Sequence, residues 1–308
     1  MPINKSDFYH FFMLLLMVNL NIMSKLKPKQ MKFEKIIVPI DFSEHSDYAL
    51  EAASILAKKY DAEILALHML ELSDSLLLKA DDVQNEKALF YLKLAEKRFG
   101  EFLQKSYLKG VTVTPMVKHY KVFSEVSQVA EDHSVDLIVM GSHGTSGFSE
   151  LFMGSNTERV VRNSSLPVLV IKKKPKNLKF DNIVYACNFS KESKKVYKSV
   201  TSMFSNASNM HLLHVNVPND NFRSTPEIET QVKEFLTAAD GNLKALDKVS
   251  YVADYTVENG VVNFAARVKA DLIILSTHGR TGIAHFFEGS ITEDIANHAS
   301  LPVMTFKI

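Results

Sequence analysis

The chain contains one stretch twice. Residues 136–172 read DLIVMGSHGTSGFSELFMGSNTERVVRNSSLPVLVIK and residues 271–307 read DLIILSTHGRTGIAHFFEGSITEDIANHASLPVMTFK. The two align without a gap and agree at sixteen positions. An offset of 135 residues in a chain of 308 is far longer than a solenoid period, so it means two copies of one domain. The expected division is a first domain over 32–173, a second over 180–308, and an extension over 1–31. Either domain is long enough to build its own core.

The extension holds an apolar run, Phe8 to Val18, shorter than the roughly 20 residues that span a bilayer. Lys5 and Asp7 nearly cancel before it, and no small-x-small cleavage site follows. The expectation is a natural start downstream, at Met31 or Met23, and no membrane partner. Lys+Arg 36 against Asp+Glu 35 leaves no basic field, and no basic cluster is interleaved with aromatics, so nucleic acid is not an expected partner. A single cysteine, Cys187, excludes an intrachain disulfide and fits a reducing cytoplasm. The basic run Lys172 to Lys176 reads as a solvated linker.

Short β-branched runs alternate with segments of helical spacing. Strands are expected at 36–40, 64–70, 111–117, 137–140 and 168–171, then at 183–186, 210–215, 249–255, 272–275 and 303–306. Helices are expected after Ser43, over 83–109 up to Gly110, and over 123–133, 156–163, 193–204, 227–238 and 259–268. Buried strands separated by helices imply an α/β class with open parallel sheets, five strands to each domain, covered by helices on both faces. The last strands, 168–171 and 303–306, would be exposed edges unless they pair with each other. Ligands of such sheets bind beyond the carboxyl ends of the strands, where Asp41 and Gly141 fall.

Gly141-x2-Gly144-x9-Gly154-Ser155 follows a strand and opens a helix. Gly141 follows a strand directly, and with no Cβ its backbone can approach a ligand closely. Ser155-Asn156-Thr157-Glu158 matches the capping pattern S-x-x-E, and a helix start offers unpaired N–H groups to a phosphate. Each residue alone reads more readily as turn glycine or helix cap. The spacing is neither that of a P-loop nor G-x-G-x-x-G, and neither a G-x-S-x-G elbow nor an H-E-x-x-H helix is present.

These residues resemble the universal stress protein family, UspA-type, in its tandem form. The glycine pattern carries the resemblance together with Val38-Pro-Ile-Asp-Phe-Ser43, Leu67-His68-Met69 and the closing Ser164 to Ile171. It spans nearly all of the chain from Lys32 onward. The resemblance implies a Rossmann-like, adenine-nucleotide alpha-hydrolase-like fold and a bound ATP or other adenine nucleotide, which Mg²⁺ could accompany. It places Asp41 by the adenosine, Pro39 at the turn beside the base, and the backbone at Met69 along the adenine. Met140, Gly141, His143 and Gly144 would lie along ribose and phosphates, and Gly154, Ser155 and Asn156 would hold phosphate oxygens. It also implies pairing of the two domains through their last strands, with a homodimer as a further form.

The second copy keeps Gly279, Gly289 and Ser290 but has Ser276 where the first has Gly141, and Asn188 where the first has Asp41. Asn removes the charge. The second site is therefore expected to be degenerate. His68 and His214 match in apolar strands and read as braces at strand ends rather than metal ligands. His143 and His278 read equally as ligand contacts or loop braces. Cys187 reads as a packed residue. No nucleophile, base and metal set converges, so the expected function is a cytoplasmic stress-response module that binds nucleotide and has at most weak ATPase or autophosphorylation activity. The alternatives are a ligand-free interaction module or an ATP-hydrolysing or adenylyl-transferring enzyme.

Overall fold

Parallel strands buried on both faces need helices on both sides, and the alternation of the chain supplies them. The computed structural model describes residues 33–71, 82–120, 125–143, 154–176, 178–218, 222–277, 295 and 299–308. The first half runs β1 (Lys35–Pro39), α1 (Glu44–Tyr60), β2 (Glu63–Glu71), α2 (Asp82–Phe102), β3 (Val113–Tyr120), α3 (Glu125–Asp132), β4 (Leu137–Gly141), α4 (Ser155–Asn163) and β5 (Val168–Ile171). The second half runs β6 (Asn182–Ala186), α5 (Lys194–Met203), β7 (Asn209–Asn216), α6 (Thr225–Asp240), β8 (Val249–Ala253), α7 (Val257–Arg267), β9 (Leu272–Thr277) and β10 (Val303–Lys307).

The two halves form one sheet of ten strands in the order β3-β2-β1-β4-β5-β10-β9-β6-β7-β8. Neighbours within each half are parallel. The junction is antiparallel: Val168, Leu169 and Val170 oppose Thr305, Met304 and Val303. The two edges that would otherwise be open thus close on each other. Because side chains alternate across a strand, each face of the sheet carries a core that runs through the junction. Ile36, Leu169, Met304 and Ile274 lie on one face. Ile37, Val170, Val303 and Ile273 lie on the other. Among the described residues, no helix is long and apolar enough to cross a membrane.

Helix ends show where local chemistry gives way to tertiary contact. The segment expected to be helical up to Lys109 leaves the helix at Phe102 and forms a 3₁₀ turn at Ser106–Leu108, before Gly110 at φ +80°. That turn buries Leu108. Its Tyr107 hydroxyl donates to Asp47 Oδ1 at 2.6 Å, and Lys58 Nζ donates to the Tyr107 carbonyl at 2.6 Å. Contacts with α1 therefore override the helical spacing. Helix α6 begins earlier than its apolar spacing suggests, because Ser224 and Glu227 form a capping box with Pro226 in the first turn.

Candidate functional site

The carboxyl end of β1 is shaped by Asp41. Its Oδ1 accepts hydrogen bonds from Ser43 N at 3.0 Å and Ser43 Oγ at 2.6 Å. This Asx turn places Phe42 at φ +65° and presents Ser43 as the N-cap of α1, where its side chain accepts from Ser46 N at 3.2 Å. His68 sits beside the turn, half-buried. Its Nδ1 donates to the Ile40 carbonyl at 2.7 Å, and its ring lies 4.6 Å from that of Phe42. Burial holds the imidazole pKa below its ordinary value, against the opposing pull of the Ile40 bond and the Asp41 charge. The histidine is a brace of the strand end.

Residues from β4 and α4 meet this turn. Pro39, Asp41, Ser46, Met140, Gly141, His143, Gly154, Ser155, Asn156 and Thr157 line one open cleft of about 60 Å³. The start of α4 is held at two points: Gly154 N donates to the Ser142 carbonyl at 2.7 Å, and Thr157 Oγ1 donates to the Gly141 carbonyl at 2.8 Å. Ser142 Oγ lies 2.8 Å from His143 Nδ1. Helix α4 does not begin with the expected capping box. Gly154 is its N-cap and brings no side-chain cap, while Glu158 reaches forward to Arg162 at 2.9 Å. The i,i+4 ion pair takes the carboxylate that the box would need. The first-turn N–H groups, lacking intrahelical acceptors, therefore open on the cleft without a serine over them. At the far end of α4, Lys307 Nζ from the second half donates to the Asn163 carbonyl at 3.4 Å, a cation at the negative end of the helix dipole.

Gly141 has a reason of its own. A Cβ built there would lie 2.6 Å from the carbonyl oxygen of His45 and 2.8 Å from His45 Cβ, so the first turn of α1 leaves no space for a side chain. The close approach is of protein to protein. Of the other expected residues, Met69 is buried in β2 opposite Lys118 and does not line the cleft. Gly144 lies outside the described residues. Two lining residues carried no binding role in the sequence reading, Ser46 and Thr157. Thr157 is one of the identities between the two copies, and that signal was available.

The second half repeats the turn with altered chemistry. Asn188 Oδ1 accepts from Ser190 N at 3.0 Å and Phe189 sits at φ +53°, so the Asx turn survives the loss of charge. His214 is buried beside Phe189 with its pKa lowered by burial, aided by the Arg223 charge and opposed by a bond to the Cys187 backbone. Cys187 is a packed residue, its thiol pushed up by burial. Buried Ser276 Oγ lies 3.1 Å from the Tyr185 hydroxyl. Where α1 starts at Glu44, α5 starts only at Lys194, and Ser190 to Ser193 form a looser turn with Ser193 N donating to Ser190 O at 3.2 Å. The matching hollow, lined by Asn188, His214 and Val257 among others, is about 10 Å³, room for about one water. His278, Gly279, Gly289 and Ser290 lie outside the described residues.

Comparison with known proteins agrees with this arrangement. The family model described as the universal stress protein family matches residues 32–172 and again 179–307. Two curated relatives come from Methanocaldococcus jannaschii. Universal stress protein MJ0531 is 31% identical over 154 residues, covering 47% of this chain and 85% of its own length. Universal stress protein MJ0577 is 30% identical over 156 residues, covering 46% and 96%. The crystal structure of a universal stress protein from Archaeoglobus fulgidus shares the fold across both halves, with a TM-score of 0.63 and 23% identity over 90% of this chain and 97% of that one. A duplicated sheet, a strand-end Asx turn and a glycine capping a helix are accounted for together: the chain belongs to the universal stress protein family, with two copies of the family domain in tandem.

Proposed function

We propose that the first half binds ATP or a related adenine nucleotide in the cleft between β1 and β4, and that the chain serves as a nucleotide-responsive regulatory module of the stress response rather than a dedicated catalyst. One observation carries this reading: the α4 N-terminus, without a side-chain cap, faces the same cleft as Asp41. The N–H groups of Ser155 and Asn156 would take phosphate oxygens, with the helix dipole favouring their charge. Asp41 and Pro39 would border the nucleoside, and Mg²⁺ could accompany the phosphates. The second half, with Asn188 and a hollow of about 10 Å³, would hold shape instead.

A second reading follows from Gly141 and Asp41 both having local structural work, the glycine against His45 and the carboxylate on Ser43. A ligand-free interaction module could retain both for folding alone. Calorimetric titration of the whole chain with ATP separates the two. One site per chain supports nucleotide binding by the first half. Two equal sites overturn the division of labour, and no heat at millimolar ATP together with an unchanged melting temperature favours the ligand-free module.

A further inference from the structure

Under the second half, between the carboxyl ends of α5 and α6 and the start of β7, lies a cavity of about 430 Å³. Its volume falls within the range of small-molecule sites. The first half has different packing here. Helix α1 runs for seventeen residues, and its last turn supplies Tyr60, edge-on to Phe33 at 5.1 Å, and Lys58, bound to the Tyr107 carbonyl. Helix α5 has only ten residues and stops at Met203. Phe204 takes the edge-on place, against Phe180 at 5.7 Å, and the chain then returns to β7 through Ser205, Asn206, Ala207 and Ser208. Small side chains thus follow where the first half has a lysine and a tyrosine.

The lining has three chemical parts. Phe204, Met210 and Leu212 are apolar. The Tyr197 hydroxyl donates to Asp240 Oδ2 at 2.6 Å, which fixes one carboxylate on the wall; burial and that bond raise the tyrosine pKa, so it stays a donor. Lys244 and Lys248 stand on the exposed rim, and among the described residues neither lysine nor Asp240 is ion-paired. A simple anion would meet Asp240, and a simple cation would meet two lysines. We propose that this cavity binds a zwitterion with an apolar body, a free α-amino acid of the leucine or phenylalanine kind. Its ammonium would pair with Asp240, its carboxylate with Lys244 and Lys248, and its side chain would rest on Phe204, Met210 and Leu212.

The test is calorimetric titration of the full chain with L-phenylalanine, with phenethylamine (no carboxylate) and with 3-phenylpropionate (no ammonium). The expected result is saturable binding of the amino acid, with either analogue at least tenfold weaker. Ala207→Tyr, which refills the cavity, should abolish binding while circular dichroism stays unchanged. Should that variant fail to fold, Asp240→Asn serves instead and should erase the preference for amino acid over acid. Absence of binding at millimolar L-phenylalanine, equal affinity for all three ligands, or binding unaffected by a folded Ala207→Tyr or by Asp240→Asn would each overturn the proposal. None of these outcomes bears on ATP in the cleft between β1 and β4.

Discussion

Gly141 and His45 touch backbone to backbone: a Cβ on the glycine would fall 2.6 Å from the His45 carbonyl oxygen. The obstacle is main chain in the first turn of α1 and cannot rotate away. Gly141→Ala should therefore destabilise the protein by about 1–3 kcal/mol, the usual cost of overpacking. Urea denaturation would measure it; an unchanged midpoint would show that the α1 start yields freely.

Thr157 ties α4 to β4 through one buried hydrogen bond to the Gly141 carbonyl. Thr157→Val keeps the shape and removes the donor, leaving a buried acceptor unsatisfied at a cost of about 1–3 kcal/mol. Thr157→Ser should recover most of the loss. Equal stability of the valine and serine variants in a denaturant titration would contradict a role for the bond.

Gly154 separates stability from ligand binding. Its backbone, at φ −60° and ψ 141°, suits any N-cap residue. Gly154→Asp should add a side-chain cap worth a few tenths of a kcal/mol to the helix. The same carboxylate would occupy the first-turn N–H groups and repel phosphate. Melting temperature should hold or rise while ATP affinity falls at least tenfold; parallel loss of both would mean that the variant merely damages the loop.

His68 and His214 predict a pH dependence with a definite sign. Burial lowers both folded-state pKa values below the unfolded value, which is about 6.5. The unfolded chain then takes up protons first as pH falls, so both contributions are fully present above about pH 6.5 and are lost below it, down through the lowered folded values. Stability should decline as pH falls below about 6.5, and the double variant His68→Gln, His214→Gln should flatten that slope. An unaltered slope in chemical denaturation at a series of pH values would exclude these histidines as its source.

Much of this architecture was legible because it rests on period and repetition. The runs at 36–40 and 168–171 are buried on both faces and could only be parallel or central strands, and the edge argument anticipated the β5–β10 pair. Local signals were ambiguous where two partners compete for one group. Ser155-x-x-Glu158 has the letters of a capping box, yet Arg162 one turn on claims the glutamate. Ser224-x-x-Glu227 has the same letters and does form the box, because the residue one turn on from that glutamate is the uncharged Gln231. The reason for Gly141 was not readable at all, since His45 is far from it in sequence and the contact is made by backbone.

The antiparallel junction of β5 with β10 also fixes how the two halves respond to their surroundings. Two separate chains joined along such strands would part on dilution, and their pairing would track expression level. Here the linker keeps each half at a constant effective concentration for the other. Lys307 consequently stands at the end of α4 whether the protein is scarce or abundant. A cell could change the amount of this protein many-fold without changing its internal partnership.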